Sequence, residues 1–302
     1  MTEKLLITIG ITAYREGNYL QNAWDSIKNQ TSSYWNAVMV LDGGADKTTR
    51  SIFDKISHPN LKKIIQKENM GPYHCRTIAI QYSSTPWYFH LDADDCLPQK
   101  AIKHLLEHIY KFPELDYFWG KCLFFSKRDY FVSYVDVIHP DHQARGNQIL
   151  GTSPIKIRMF KELNGFHRKL YTGGADWEFW TRVLTNGYKG KFINEILYER
   201  RISKNSVGDQ WLLRGDKVAE IIIDNNPDFF MEGNRKNECM GRSYELISRK
   251  YRSIGKRKKA SEYAVKAREI GWQFDAQKVI IIEMNMTLFR FFIRRLRRLL
   301  SV

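Results

Sequence analysis

The sequence has few cysteines and no long hydrophobic run. Its 302 residues include four cysteines, none of them in a CxxC pair: Cys75, Cys96, Cys122 and Cys239. These wide spacings exclude a zinc ribbon and a disulfide-stapled small fold, and they favour free thiols in a reducing compartment. No stretch of 18 apolar residues occurs, so no ordinary transmembrane helix is expected. The short apolar segment at 5–13 is better explained as a buried first strand than as the core of a signal peptide.

Two nucleotide-binding signatures are also missing. No GxGxxG follows the first predicted strand, and no GxxxxGK[ST] occurs anywhere. Their absence argues against a dinucleotide-binding fold and against a P-loop ATPase. Only eight prolines, with 43% apolar and 27% charged residues, exclude a disordered or collagen-like chain. The length suggests about two domains, or one large α/β domain with an appendage.

Positive charge is concentrated in the last quarter of the chain. The net charge is +15, and residues 231–302 hold 18 Lys and Arg against 7 Asp and Glu. The segment from Leu288 to Leu300 places apolar side chains on one face of a helix and arginines on the other. Such a helix suits an anionic membrane surface, although a terminal helix packed on the protein would show the same pattern. We expect a cytoplasmic protein, peripheral on the inner face of the membrane, with no nucleic-acid partner.

Strand and helix patterns alternate four times at the start of the chain. Strands are predicted at 5–13, 37–41, 61–66 and 87–91, and helices at 19–28, 48–56, 73–82 and 98–110. Further strands are predicted at 117–125 and 130–137, helices at 156–163 and 176–185, and mainly helix from 211 onward. The order indicates an α/β fold with a mostly parallel sheet flanked by helices. In such a sheet, ligands bind beyond the carboxyl ends of the strands.

The fourth predicted strand ends in three acidic residues, Asp92, Asp94 and Asp95. Carboxylates this close repel one another unless a cation lies between them. Oxygen ligands at an open site suit Mg²⁺ or Mn²⁺, which also bind phosphate oxygens. The alternative is a solvated acidic turn ahead of a helix with Pro98 in its first turn. The position at a strand end favours the metal.

Several sequence blocks, in this order, resemble the family 2 glycosyltransferases of the GT-A fold. The blocks are ITAYRE, SIKNQT, LDGGADKT, NMGPYHCR and HLDADD, and the last contains the DxD motif of that family. The resemblance covers roughly residues 5–207. It implies a GT-A type sheet with a C-terminal helical extension, and an enzyme that uses a nucleotide-sugar donor with Mn²⁺ or Mg²⁺.

The same resemblance assigns the donor side of the site. Asp94 and Asp92 would hold the metal, which would bridge the diphosphate. Asp42 would accept a hydrogen bond from the base or ribose, although Leu41 stands where the family often has a second Asp. Asp46 is predicted to cap the following helix. The residues implied to bind the nucleotide-sugar are Ala13, Tyr14, Glu16, Asp42, Gly71, Arg76, Asp92, Ala93, Asp94 and Arg201.

The block GGADWEFWTRV resembles the part of the family that carries the general base of inverting members. Asp176 would take the proton from the acceptor hydroxyl; an N-cap aspartate at a helix start is the alternative. Ala175 replaces the Glu that usually precedes this Asp. Glu178 is a second candidate, but two residues along a helix it points elsewhere. Trp177 and Trp180 would form a platform for an acceptor sugar, or belong to the core.

A last block resembles the Tyr-x-x-Arg-x-His pattern of the family. It begins at Tyr198 and supplies Arg201, which would pair with the diphosphate, while Ser203 replaces the usual His. The Gln-x-x-Arg-Trp block of processive polysaccharide synthases is missing. Transfer of a single sugar is therefore the better interpretation.

These observations predict a catalytic domain at 1–210 and a basic helical extension at 211–302. The nucleotide-sugar half would be 1–100 and the acceptor half 101–210. The predicted reaction is inverting transfer of one sugar, from a UDP-linked donor to a glycan or lipid-linked acceptor. The alternative is a catalytically inactive nucleotide-sugar-binding or scaffolding protein at the membrane, which the replacements at Ala175 and Ser203 leave open.

Overall fold

A computed structural model describes residues 6–126, 130–202 and 212–274, and the described residues form one mixed sheet with helices around it. The strands are β1 (Ile7–Ala13), β2 (Trp35–Leu41), β3 (Leu61–Ile65), β4 (Trp87–Asp92), β5 (Tyr117–Phe125), β6 (Tyr130–Ser133), β7 (Ile155–Lys156) and β8 (Gly190–Arg201). They lie in the order β3-β2-β1-β4-β7-β5-β6, with β8 paired to β5. Only β6 and β7 run against the others among these strands. The predicted α/β fold with a mostly parallel sheet is confirmed.

The first half of the sheet follows the predicted alternation of strand and helix. Helices α1 (Tyr19–Lys28), α2 (Lys47–Lys55), α3 (Pro72–Gln81) and α4 (Ala101–Lys111) follow β1 to β4 in turn. All seven residues of β1 are buried, because the strand is central and its two faces are covered. Parallel pairing places Ala13 opposite Leu41 and Thr12 opposite Asp92. The loops after β1, β2 and β4 therefore open at the same edge.

Helix α4 begins at Ala101, so the prediction of Pro98 in its first turn is wrong. The chain before the helix is held by other elements: the Gln30 amide donates to the Pro98 carbonyl at 2.8 Å, and Cys96 pairs with Glu199 of β8. These contacts keep residues 96–99 in an irregular turn. The helix starts only after them.

The second half contains the shorter helices α5 (Pro140–Arg145), α6 (Ile157–Glu162) and α7 (Ala175–Thr185). Strand β8 runs parallel to β5 and pairs Phe125 with Arg201, which brings Arg201 to the same edge as Asp92. Strand β6 ends at Ser133, earlier than predicted, since its last pairing is with Cys122 of β5. This half thus supplies residues from α7 and β8 to the edge where the first-half loops open.

The C-terminal extension folds back on this second half. It consists of α8 (Gly215–Asn225), α9 (Pro227–Met231), α10 (Arg235–Ser253) and α11 (Arg257–Glu269). Apolar side chains of α8 and α9, among them Val218, Ile222 and Phe229, share one core cluster with Trp177 and Phe179 of α7. The extension and the acceptor half therefore share a hydrophobic core. The predicted boundary near residue 210 lies outside the described residues.

Helix α10 and helix α11 pack against each other as a helical hairpin. Ala260 and Ala267 are buried between them, as small residues on a packing face should be. No helix within the described ranges combines the length and hydrophobicity that a membrane span requires. The amphipathic segment from Leu288 to Leu300 lies outside the described residues.

Candidate active site

Asp42 forms hydrogen bonds with two loops of the candidate site, the turn after β2 and the loop before α3. It is buried at the end of β2, and its carboxylate accepts three backbone N–H hydrogen bonds at 2.9–3.1 Å, from Gly43, Met70 and Gly71. Gly71 has a φ of 88°, and a Cβ on it would lie 3.0 Å from the carbonyl oxygen of Tyr171. Glycine is therefore required at this turn. Asp42 therefore shapes both its own turn and the loop ahead of α3.

The loop after β1 contains Glu16, whose carboxylate has a raised pKa. Glu16 accepts the backbone N–H of Tyr14 at 2.6 Å. Burial, together with the charges of Asp94 and Asp92, raises the pKa of Glu16 to about 7 despite this hydrogen bond. The Tyr14 ring is half-buried beneath the Arg15 guanidinium, which lies 4.6 Å from the ring centroid. Tyr14 and Glu16 thus lie at the edge of the sheet beside the acidic motif.

Ala13 and Ala93 are almost fully buried, with exposures of 2% and 1%. Their methyl groups pack in the core beneath the site. Contacts of these two residues with a ligand would therefore come from the backbone.

Arg76 and His90 hold Asp92 at the end of β4. Arg76 Nη2 lies 2.6 Å from Oδ1 of Asp92, and His90 Nε2 lies 2.9 Å from the same oxygen. Burial alone would raise the pKa of Asp92, but Arg76 and the His90 hydrogen bond hold it well below its ordinary value. Burial lowers the pKa of His90 to about 4, so its ring is neutral at pH 7. Nε2–H then donates to Asp92, and Nδ1 accepts the Tyr88 hydroxyl at 2.9 Å.

The Asp94 carboxylate is the open acid of the motif. Burial and the neighbouring Asp92 raise its pKa. Among the described residues, no donor from another residue reaches this carboxylate; Arg201 Nε instead donates to the Asp94 carbonyl oxygen at 2.9 Å. The Arg201 guanidinium also lies 4.2 Å from the Tyr19 ring centroid. Arg201 thus stands beside Asp94, and these two contacts set its orientation.

Asp95 has a structural role instead. It is buried, it accepts the backbone N–H of Arg201 at 2.7 Å, and it is hydrogen-bonded to the Tyr198 side chain. Burial and the charges of Asp92 and Asp94 raise the pKa of Asp95 to about 8. Tyr198 also accepts the backbone N–H of Asp92 at 3.0 Å. Asp95 and Tyr198 therefore join the acidic motif to β8.

The acidic motif fits a divalent cation only in part. Within the described ranges, no group of three or more His, Cys, Asp and Glu side chains is arranged to hold a metal ion. Mg²⁺ is commonly bound by one or two carboxylates together with substrate phosphates. The open Asp94 carboxylate, with Asp92 beside it, fits that kind of site. It does not fit a cage built from protein side chains alone.

Asp176 is the second residue of α7, so the N-cap interpretation of this residue is wrong. Gly174 occupies the cap position, with a φ of 84°. The Asp176 carboxylate is instead directed at neighbouring side chains: Asn147 Nδ2 donates to it at 3.0 Å, and Tyr73 is hydrogen-bonded to it. Inside the first turn, the carboxylate thus contacts side chains of other elements and does not cap its own helix.

Because Gly151 has no side chain, Asp176 and Arg76 can both lie close to its backbone. A Cβ on Gly151 would lie 2.9 Å from the Asp176 carboxylate and 3.1 Å from Arg76 Nη1. Both groups therefore border the same small space. Arg76 is bonded to Asp92 on one side and lies near Asp176 on the other, so its guanidinium stands between the acidic motif and the predicted base.

Trp177 and Trp180 belong to the core, and their predicted role as an acceptor platform is wrong. Their exposures are 6% and 2%, and the Trp177 indole N–H donates to the Gln143 carbonyl at 2.7 Å. Glu178 is fully buried and pairs with Arg182 at 2.6 Å. It points away from the site, as the helical spacing predicts.

Sequence reasoning missed His90, Asn147 and Gly151. His90 stands two residues before Asp92 in the same strand, so the period of two places both side chains on one face. That spacing was the available signal. Asn147 and Gly151 lie in a loop whose approach to Asp176 depends on contacts about 30 residues apart in sequence, and no local pattern shows it.

The model of the family described as Glycosyl transferase family 2 matches residues 8–163, more than half of the chain. A teichoic acid poly(glycerol phosphate) polymerase of Staphylococcus epidermidis is 35% identical over 103 residues. That match covers 33% of this chain but only 14% of the polymerase.

Solved structures share the fold at low sequence identity. Residues 1–349 of S. aureus TarS, in complex with UDP-GlcNAc, align with a TM-score of 0.59 and 12% identity, over 89% of this chain and 93% of that one. The mannosyltransferase PcManGT of Pyrobaculum calidifontis, in complex with GDP-Man and Mn²⁺, aligns with a TM-score of 0.55 and 15% identity. The second alignment covers 95% of this chain and 81% of that chain.

Proposed function

The chain belongs to glycosyl transferase family 2, and on this basis we propose that it moves a single sugar from a nucleotide-diphospho-sugar to a glycan or lipid-linked acceptor. The observation that carries the proposal is the position of Arg76 between two aspartates. Arg76 is bonded to Asp92 of the DxD motif and borders Asp176. An acid for the donor side and a base for the acceptor side thus lie around one buried cation.

The proposed donor is UDP-linked and lies along the loops after β1, β2 and β4. Tyr14 would contact the base, and Asp42 would hold the loop that borders it. Arg201 would face the diphosphate beside Asp94, since its Nε already lies 2.9 Å from the Asp94 carbonyl. The S. aureus TarS structure bound to UDP-GlcNAc supports a nucleotide donor in this fold.

Mn²⁺ or Mg²⁺ would be held by Asp94, with Asp92 beside it. The ion would neutralise charge on the departing diphosphate. The mannosyltransferase structure with GDP-Man and Mn²⁺ supports a divalent ion in this fold. Because the protein offers one or two carboxylates, we expect tight metal binding only together with the nucleotide.

Asp176 would act as the general base. As the acceptor hydroxyl oxygen attacks the anomeric carbon, Asp176 takes its proton. A bond forms between that oxygen and the anomeric carbon, and the bond from the anomeric carbon to the diphosphate oxygen breaks. The nucleoside diphosphate leaves with the electron pair, so one displacement inverts the anomeric configuration.

The proposed location is an anionic membrane surface that presents a lipid-linked acceptor. The tip between α10 and α11 supports this, because residues 256–259 are four consecutive exposed cations. No ion pair involves them among the described residues. They add to the cationic segment predicted at Leu288 to Leu300.

The deciding experiment is titration of UDP with and without Mn²⁺, followed by turnover of UDP-N-acetylglucosamine, UDP-glucose and GDP-mannose. Asp94→Ala should abolish the gain in UDP affinity that Mn²⁺ produces. Asp176→Asn should bind UDP normally but release nucleotide at least a hundredfold more slowly. Asp54→Asn, an exposed aspartate on α2, is the matched control.

Full turnover by a folded Asp176→Asn protein would reject the base. Absence of binding by UDP, GDP, dTDP and CMP would reject the donor site as a whole.

A further inference from the structure

Helix α5 contacts the C-terminal extension on one side and α7 on the other. We propose that the extension positions Asp176 through α5, with Glu238 and Arg235 of α10 as positioning residues. The inference rests on the proposed role of Asp176. On this inference the extension contributes to catalysis, in addition to packing against the hydrophobic core of the acceptor half.

The outer contacts are two ion pairs between α5 and α10. Arg145 donates to both carboxylate oxygens of Glu238, at 2.8 and 3.2 Å. Arg235 Nε lies 2.9 Å from Asp141. The forked pairing of Arg145 with Glu238 fixes orientation as well as distance. Because the two pairs lie near opposite ends of a short helix, together they fix its rotation against α10.

The inner contacts run from α5 to the base. Gln143 is fully buried in α5, and its carbonyl accepts the Trp177 indole N–H at 2.7 Å. Two residues after α5 ends, Asn147 donates to the Asp176 carboxylate at 3.0 Å. A rotation of α5 would therefore displace the residue next to Asp176 and the side chain that holds its carboxylate.

Helix α8 restrains the start of α7 from another direction. A Cβ on Gly174 would lie 2.5 Å from Val218, so α8 packs directly against the cap of α7. The Asn225 amide, at the end of α8, donates to the buried Glu178. The first turn of α7, which carries Asp176, is thus held between α5 and α8.

The test reverses the charges of the forked ion pair between Arg145 and Glu238. The variants are Glu238→Arg, Arg145→Glu and the double variant that carries both changes. Asp54→Arg is the matched control, because it reverses an equally short pair, Arg50 with Asp54 at 2.9 Å, on α2. Each protein is measured for UDP release from UDP-N-acetylglucosamine, UDP affinity, thermal midpoint, and amide hydrogen exchange over residues 139–151.

Each single reversal should lower kcat about tenfold, since a displacement of a fraction of an ångström in a catalytic group has effects of that order. UDP affinity should stay within twofold, and amide exchange over 139–151 should quicken. The double variant should recover most of the loss in kcat and the slow exchange. Asp54→Arg should match the wild type in all of these measurements.

Unchanged kcat in both single variants would overturn the inference, and so would a loss that the double variant does not recover. A lowered thermal midpoint with normal kcat would assign the pairs to stability alone. If Asp176→Asn keeps full activity, the proposed base has failed. Inactive Asp176→Asn with fully active charge-reversed variants would reject the positioning role only.

Discussion

Gly151 offers the sharpest test of where the reaction takes place. In a Gly151→Ala protein the new methyl carbon would lie 2.9 Å from the Asp176 carboxylate and 3.1 Å from Arg76 Nη1. Ordinary contacts begin near 3.4 Å, so Asp176 must move by about 0.5 Å. A misplacement of about 1 Å costs about a hundredfold in rate, and half of that corresponds to about tenfold in kcat.

The assay compares kcat for nucleotide release, UDP affinity and thermal midpoint between Gly151→Ala and Gly146→Ala. Gly146 lies in the same loop, and a Cβ on it meets nothing within 4 Å. We expect Gly146→Ala to behave like the wild type. Gly151→Ala should lose kcat while its thermal midpoint stays within a few degrees and its UDP affinity within twofold.

Wild-type kcat in Gly151→Ala would refute the reasoning, because it would mean that Asp176 can move without consequence. Loss of UDP affinity with normal kcat would also refute it. The methyl group would then act through Arg76 on the donor side.

Three further predictions concern the metal, the pH dependence and the membrane. Mn²⁺ alone should bind weakly, and its affinity should rise at least tenfold when UDP is present, by calorimetry with Asp94→Ala as the negative control. The contribution of His90 to the free energy of unfolding should fall by about 3 kcal/mol between pH 6.5 and pH 4, because unfolded His90 takes up a proton near pH 6.5 and the folded ring only near pH 4. Glu16 and Asp95, whose pKa values are raised, change stability in the opposite direction, so the effect is measured as the difference between wild type and His90→Gln in denaturant titrations; a difference that does not change with pH would refute it. Replacing residues 256–259 by glutamine should weaken binding to vesicles that contain phosphatidylglycerol about tenfold or more. A control with the same loss of charge at four scattered exposed lysines should change binding much less: Lys55, Lys62, Lys67 and Lys111.

The first half of the fold is readable from the sequence because its signals are local. A central parallel strand is apolar on both faces, and a covering helix repeats apolar residues every three or four positions. Both patterns lie within a few residues, so α1 occupies the predicted range 19–28 and β5 the predicted range 117–125. The predicted start of α4 was wrong because Gln30 and Glu199, which are distant in sequence, hold residues 96–99 in a turn.

The residues of the candidate site also divide into those with a local sequence signal and those without one. The acidic residues Asp92, Asp94 and Asp95, and also Asp42, could be located because they lie at the ends of strands. The burial of Trp177 and Trp180 could not be read locally, because α7 is covered on more than one side and its aromatic residues show no single exposed stripe. Their cover comes in part from α8 and α9, which begin only at Gly215, far along the chain from Trp180.

The role of Arg76 shows why a motif alone does not define this site. Its guanidinium must stay charged, and it is bonded to an aspartate whose pKa it holds low. The same guanidinium lies near Asp176, so a shift of Arg76 would affect the surroundings of both carboxylates. Arg76→Lys would keep the charge, but one ammonium group cannot reproduce the fork that bonds Asp92 through Nη2 and borders Asp176 through Nη1. Asp92 and Asp176, far apart in sequence, thus lie around one guanidinium, and we expect its planar shape to matter as much as its charge.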